Sequence, residues 1–180
     1  MLRLQLVSVL ISATLYFGCF HLNMMLFNTL ELHSGANWIF LPAGVRLLCT
    51  LLLGLEGAIG LLIASLIISI QIYGDMGLVT NLLSACISAG APYLVYRLAL
   101  INGMPATLEK LNAAKLAALC LVYAFVSALL HSVWYTLRSV NTDMLTGFTA
   151  MFIGDLIGTL IILYAMKIVL ATIRRTRGHV

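Results

Sequence analysis

The chain has 180 residues, of which 62% are hydrophobic and 9% charged, with a mean hydropathy of +1.09. Soluble domains carry about a quarter charged residues, so an ordinary soluble domain is excluded. The formal charge of +4 does not mark a nucleic-acid binder once its placement is considered, because part of it is a short basic tail of Arg174, Arg175 and Arg177. A membrane span needs about 20 mainly apolar residues. The chain therefore reads as one integral membrane domain over residues 1–180, an all-α bundle of about six spans.

The first segment runs from about Leu4 to Leu30. It is too long for the apolar core of a signal peptide and lacks a clean small-residue cleavage site, so we expect it to be retained. The polar stretch Glu31–Asn37 ends it, and Trp38 suits an interfacial aromatic. A short second segment, about Trp38–Leu53, contains Pro42, Ala43 and Gly44. Gly54 and Gly57 then mark a tight reversal, since glycine adopts backbone angles closed to other residues. The third segment covers about Ala58–Tyr73 and the fourth about Leu78–Leu100, with Pro92 inside it. The connection Ile101–Lys115 is the longest and has room for one interfacial helical turn. The last two segments are expected at about Leu116–Leu137 and Met144–Ile173.

Charge placement predicts the orientation. Arg3, Arg97, Lys110, Lys115, Lys167 and the three tail arginines fall on one side of such a bundle, and only Arg138 on the other. Positive loops stay in the cytoplasm, which puts both termini there. The tail doubles as an anchor for lipid headgroups. Cys19, Cys49, Cys86 and Cys120 each lie in a separate apolar segment and read as small buried hydrophobes, without disulfide or metal spacing. Small residues recur four apart at Gly154/Gly158, Ser84/Ser88 and Ala85/Ala89, a spacing that lets helix backbones approach closely within the chain or across a dimer.

Two charges lie inside apolar segments: Arg46 and Asp155. A charge at helix mid-depth costs roughly 2.5–3.5 kcal/mol on insertion scales and usually has a partner and a purpose. Counting from Trp38 and Met144, Arg46 lies roughly 12 Å and Asp155 at most about 17 Å from the same boundary. An intramembrane ion pair is expected. It is either a structural clamp between the second and sixth segments or a site where Arg46 receives an anionic group and Asp155 is its resting counter-ion. His21 and His131 also fall in the outer half, where they can sense protons, join a ligand cavity or, as a pair, ligate b-type haem. Haem is the weaker alternative, because there is one such pair, and no cofactor is expected; copper on His21, Met24 and Met25 is weaker still. Asn81 either joins the polar cluster or caps its own helix. Pro42 with Gly44 either breaks a helix so that backbone groups face a ligand, or simply starts one.

No catalytic motif emerges. There is no GxSxG, HExxH, P-loop or dinucleotide fingerprint, and the acidic residues are scattered singly, so an enzyme is not expected.

The stretch from Trp38 to Leu48, with Pro42, Gly44 and Arg46, resembles the early tryptophan, proline and glycine motif of the membrane-associated sensor domain of the first class (MASE-type). The segment from Phe152 to Gly158, with Gly154 and Asp155, resembles the Gly-Asp-x-x-Gly motif near that domain's end. Such domains stand at the N-terminus of bacterial histidine kinases and diguanylate cyclases. The resemblance touches two segments in the right order. It implies a sensor role and makes Trp38, Pro42, Gly44, Arg46, Gly154, Asp155 and Gly158 site candidates. Family members are larger, with about eight spans and a cytoplasmic output domain, so this chain is expected to signal through a separate membrane or cytoplasmic partner, with oligomerisation open. The rival expectations are a small transporter or its substrate-binding subunit, and a non-catalytic accessory subunit of a larger membrane complex.

Overall fold

The computed structural model describes residues 2–33, 36–104, 112–140 and 143–177, with the side chains of 33, 170, 171 and 173–177 left aside. The expected interfacial turn, with Pro105, Glu109 and Lys110, lies outside the described residues, as do the side chains of the basic tail. Helices α1 (Leu2–Phe27), α2 (Leu41–Ile72), α3 (Leu78–Ile101), α4 (Ala113–Leu137) and α5 (Met144–Arg177) make up nearly all of the fold. A short antiparallel pair, β1 (Glu31–His33) and β2 (Ala36–Asn37), joins α1 to α2, with Glu31 opposite Asn37.

All five helices are long and apolar enough to cross a membrane. The sequence predicts six segments, and the difference lies in α2, which takes the expected second and third segments into one helix. That helix is broken at Gly54, where φ is +60° and ψ is −129°, a conformation essentially reserved for glycine. The contacts on either side show what the break does. Before it, the Leu41 amide donates to Asn23 Oδ1 (2.9 Å) and Arg46 reaches Tyr16, so this half runs against α1. After it, Glu56 accepts from Gln5 (3.1 Å), the Gly57 carbonyl accepts from Ser12 (2.8 Å), and Leu61, Ala64 and Ile68 pack with Tyr16 and Phe20. This half runs with α1. The chain therefore reverses at Gly54.

The ends of the helices follow from local chemistry. Pro42 occupies the first turn of α2, where its missing N–H costs nothing, which decides between the two readings of that proline: it starts a helix. Asn112 caps α4 by accepting from the Lys115 amide (2.8 Å), and Asp143 accepts from the Thr146 amide (3.2 Å) ahead of α5. Pro92 stays inside α3 and is buried.

Burial follows membrane logic rather than aqueous logic. The buried residues of α1 are Ser12, Tyr16, Phe20 and Asn23, a single stripe at helical spacing that includes three polar side chains. Its leucines, including Leu4, Leu10, Leu15 and Leu22, are exposed. The first half of α2 is the opposite case: every residue from Leu41 to Leu51 is buried.

Close backbone contact sets this central half against α5. A methyl group added at Gly154 would overlap the Asn37 carbonyl, and one at Gly158 would overlap the Phe40 carbonyl. At Gly44 it would lie 2.7 Å from the Gly158 oxygen and 2.5 Å from Ile162 Cβ. The Phe40 amide donates to the Gly154 carbonyl (3.2 Å), which locks the crossing. The small-residue spacing at Gly154/Gly158 thus serves intramolecular packing. At the same end of the bundle, Trp134 Nε1 donates to the Thr80 carbonyl (3.3 Å) and Arg138 Nε to Thr80 Oγ1 (3.2 Å).

Candidate functional site

The crossing of α2 and α5 places Arg46 and Asp155 in one small cavity, with His131 of α4 and Ser84 and Ser88 of α3 on its wall. Each of the two charged residues is 6% exposed. The cavity has a volume of about 50 Å³. It extends past Ser65, Ser69 and Tyr73 on the second half of α2. The Tyr73 hydroxyl donates to Glu31 (3.3 Å) beside β1. A carboxylate only accepts, so the Tyr73 phenol is the donor of this bond.

The sequence predicts an ion pair, but the hydrogen bonds of Arg46 go to Tyr16. Nε and Nη2 donate to the Tyr16 hydroxyl at 3.1 and 2.5 Å. The guanidinium carbon stands 5.0 Å from the centre of the Tyr16 ring and 5.1 Å from that of Phe40. Two aromatic faces at this distance attract a desolvated cation by about 2 kcal/mol each. They supply what lipid cannot. Tyr123, buried and without a partner of hydrogen-bonding geometry, lies next to Arg46 on the side of the main apolar core. Asp155 has the Ser127 hydroxyl beside it. The two charges thus share a cavity without a direct hydrogen bond to each other.

His131 is fixed at both ring nitrogens. Nδ1 lies 3.0 Å from the Ser127 carbonyl, which only accepts, so Nδ1 carries a proton. Nε2, 3.3 Å from Ser88 Oγ, is then placed to accept the serine proton. His21 has a different setting: its ring lies tilted against Phe17 at 4.3 Å between centroids, Nδ1 meets the Phe17 carbonyl at 2.9 Å, and it is no part of the cavity wall. With both nitrogens of His131 engaged and His21 elsewhere, the two do not fit as axial ligands of a haem. Met25 is 84% exposed while Met24 packs inward, so His21, Met24 and Met25 do not converge either. Among the described residues no group of three His, Cys, Asp or Glu is placed to hold a metal.

The remaining predicted residues have positional roles. Asn81 Nδ2 donates to the Tyr73 carbonyl (3.0 Å), which ties the start of α3 to the end of α2. Trp38 packs in a cluster with Ala36, Tyr135 and Met151, and its amide donates to the Leu30 carbonyl (3.2 Å). Pro42, Gly44, Gly154 and Gly158 set the helix start and the crossing that bring Arg46 and Asp155 to one cavity.

Sequence reasoning missed Tyr16, which holds the arginine, and Ser65, Ser84 and Tyr135, which line the cavity. The stripe Ser12–Tyr16–Phe20–Asn23 is a legible signal for the first. Ser84 reads as a packing residue because a serine's size and its hydroxyl predict different things.

These features define an all-α protein of the polytopic membrane class, built around a buried polar centre. Comparison with family models, with curated proteins and with solved structures returns no match.

Proposed function

We propose that the chain is a six-span protein of the bacterial inner membrane, with both termini cytoplasmic, in which the Arg46–Asp155 cavity binds a ligand and relays its state to a separate protein partner. The observation that carries this reading is a buried cation facing a polar cavity with its counter-charge set back from it. A clamp would bring the two charges into contact; a receptive site leaves donors to spare. The six-span count rests on the reversal at Gly54. Residues 41–53 rise about 20 Å as helix, and the extended residues before them add about 10 Å, enough for a hydrocarbon core of about 30 Å. The orientation rests on Arg3, Arg97, Lys115 and Lys167 at one end against Arg138 at the other. The sensor role draws on the resemblance of the Trp38–Leu48 and Phe152–Gly158 stretches to membrane-associated sensor domains.

The test is a paired substitution. Arg46→Met with Asp155→Leu removes both charges while keeping bulk, so folding survives. Wild-type protein withdrawn from native membranes in mild detergent should bring with it a kinase or cyclase whose activity changes; the double variant should leave that activity unresponsive. A double variant that signals normally would reduce the site to a structural device. Stable association with an ATPase pair would assign the chain to a transporter, and with a respiratory or motor complex to an accessory subunit.

A further inference from the structure

We infer that the cavity is a binding site for a small monovalent oxyanion of three or four heavy atoms, such as formate, nitrate, bicarbonate or acetate, taken up on the free edge of the Arg46 guanidinium. The inference rests on the ligand-site reading above and specifies its ligand. Three independent features of the cavity lead to it.

The first is donor supply. A guanidinium has five N–H groups in a rigid fork. Nε and Nη2 spend one each on Tyr16, the Tyr123 hydroxyl stands beside the guanidinium, and the remaining N–H groups meet no other acceptor among the described residues. Two more donors line the cavity: the hydroxyls of Ser65 and Ser84 are buried, 3% and 7% exposed as residues; Ser65 makes no hydrogen bond, and Ser84 has the Tyr135 phenol beside it. A buried polar atom left without a partner costs roughly 1–3 kcal/mol. A planar oxyanion satisfies the fork with two parallel bonds and leaves lone pairs for both serines.

The second is size. One water needs roughly 10–15 Å³ of such space, and this cavity has about 50 Å³. That admits three or four heavy atoms and excludes sugars, nucleotides and dicarboxylates.

The third is charge. The ionisable groups facing the space are Arg46, Asp155 and His131, with the phenols of Tyr16, Tyr73 and Tyr135. His131 already gives its Nδ1 proton to the Ser127 carbonyl and presents Nε2 to Ser88, so a neutral ring satisfies both contacts and adds no positive charge. Arg46 and Asp155 together leave the cavity itself without net charge, so a monovalent anion adds one negative charge beside Asp155 and a divalent anion adds two. A divalent anion is therefore disfavoured.

The experiment uses the full chain, purified in detergent and in lipid nanodiscs, titrated with the sodium salts of the four oxyanions at constant ionic strength. Gluconate, too large for the cavity, is the balancing anion. Binding to the folded state alone raises the unfolding temperature in a saturable way. We expect saturable stabilisation by at least one of the four and none by sulfate. Ser65→Ala removes a hydroxyl that has no partner in the empty protein, so this variant should unfold no earlier than wild type without ligand, whereas Ser84→Ala also removes the neighbour of the Tyr135 phenol. Each should bind about tenfold more weakly, the usual loss for a hydrogen bond to a charged group. Arg46→Lys, which keeps the charge but loses the fork, should abolish the response. Saturation that is unchanged in both serine variants overturns the inference. So does a response only to larger anions such as succinate or a sugar phosphate, an outcome that leaves the ligand-site reading standing. No response to any anion overturns both.

Discussion

Helix α1 and the first half of α2 are both mainly apolar and have opposite fates. In α1 only the stripe Ser12, Tyr16, Phe20 and Asn23 is buried, and the leucines face outward. Between Leu41 and Leu51 every side chain is covered by protein. The first is a wall of the bundle and the second is its axis. A charge is tolerable on the axis because aromatic faces and hydroxyls surround it, whereas the same charge on the outer face of α1 would meet lipid. Apolar sequence alone does not distinguish a helix that touches lipid from one that touches only other helices.

The sharpest way to break this contrast is to push the axis out of place. Gly158→Val inserts a branched side chain where the Phe40 carbonyl already sits, and should cost about 3 kcal/mol of stability. The check is loss of monodisperse protein on heating in detergent. A variant with wild-type stability would mean that α2 and α5 do not cross here. Next comes Arg46→Met alone, which strands Asp155 in the interior. A buried charge that loses its counterpart typically destabilises by about 3 kcal/mol or more, and adding Asp155→Leu should restore most of it. If the two changes are additive in a double-mutant cycle, the charges do not sense each other across the cavity.

The two histidines sharpen the comparison at smaller scale. His131→Ala removes the partner of Ser88 on the cavity wall and should cost about 1–3 kcal/mol, whereas His21→Ala, on the half-covered face of α1, should cost less than about 1 kcal/mol. Equal effects, read from chemical or thermal unfolding of the purified variants, would contradict the different burial of the two rings. Smallest of all is Leu10→Ala on the exposed face of α1, expected within about 0.5 kcal/mol of wild type. A large loss there would reveal that a second copy or another protein covers that face.

Much of the bundle is legible in the chain. The segment ends come out within a few residues, since a turn signal such as Glu31–Asn37 is local chemistry. The reversal at Gly54 is also readable, because two glycines three apart rarely interrupt an apolar run without changing its direction. Arg46 and Asp155 stand out for the same reason that they are costly. Their relation was harder to read. Depth counting along each segment places both charges near one level, but it carries no information about rotation around the helix axis. Tyr16 therefore holds the guanidinium, and Asp155 turns toward Ser127. The same blindness merges His21 and His131, which share a depth and differ in which way they face. The serines at 84 and 88 went unread as cavity residues because their spacing fits close packing equally well.

Composition and local pattern determined by themselves that this chain is a helical membrane bundle, where its reversals fall and which residues are too polar to face lipid. Those are properties of single segments, settled by the free energy of moving each side chain out of water. The packing alone decided that α2 is the axis, that Gly154 and Gly158 seat it against α5, and that Arg46, Ser65, Ser84, His131 and Asp155 surround one cavity. The physical reason is that lipid is as apolar as leucine, so it ranks no face of an apolar helix above another. Which faces meet is chosen by close backbone contact and by polar groups finding partners, and both exist only once the helices are assembled.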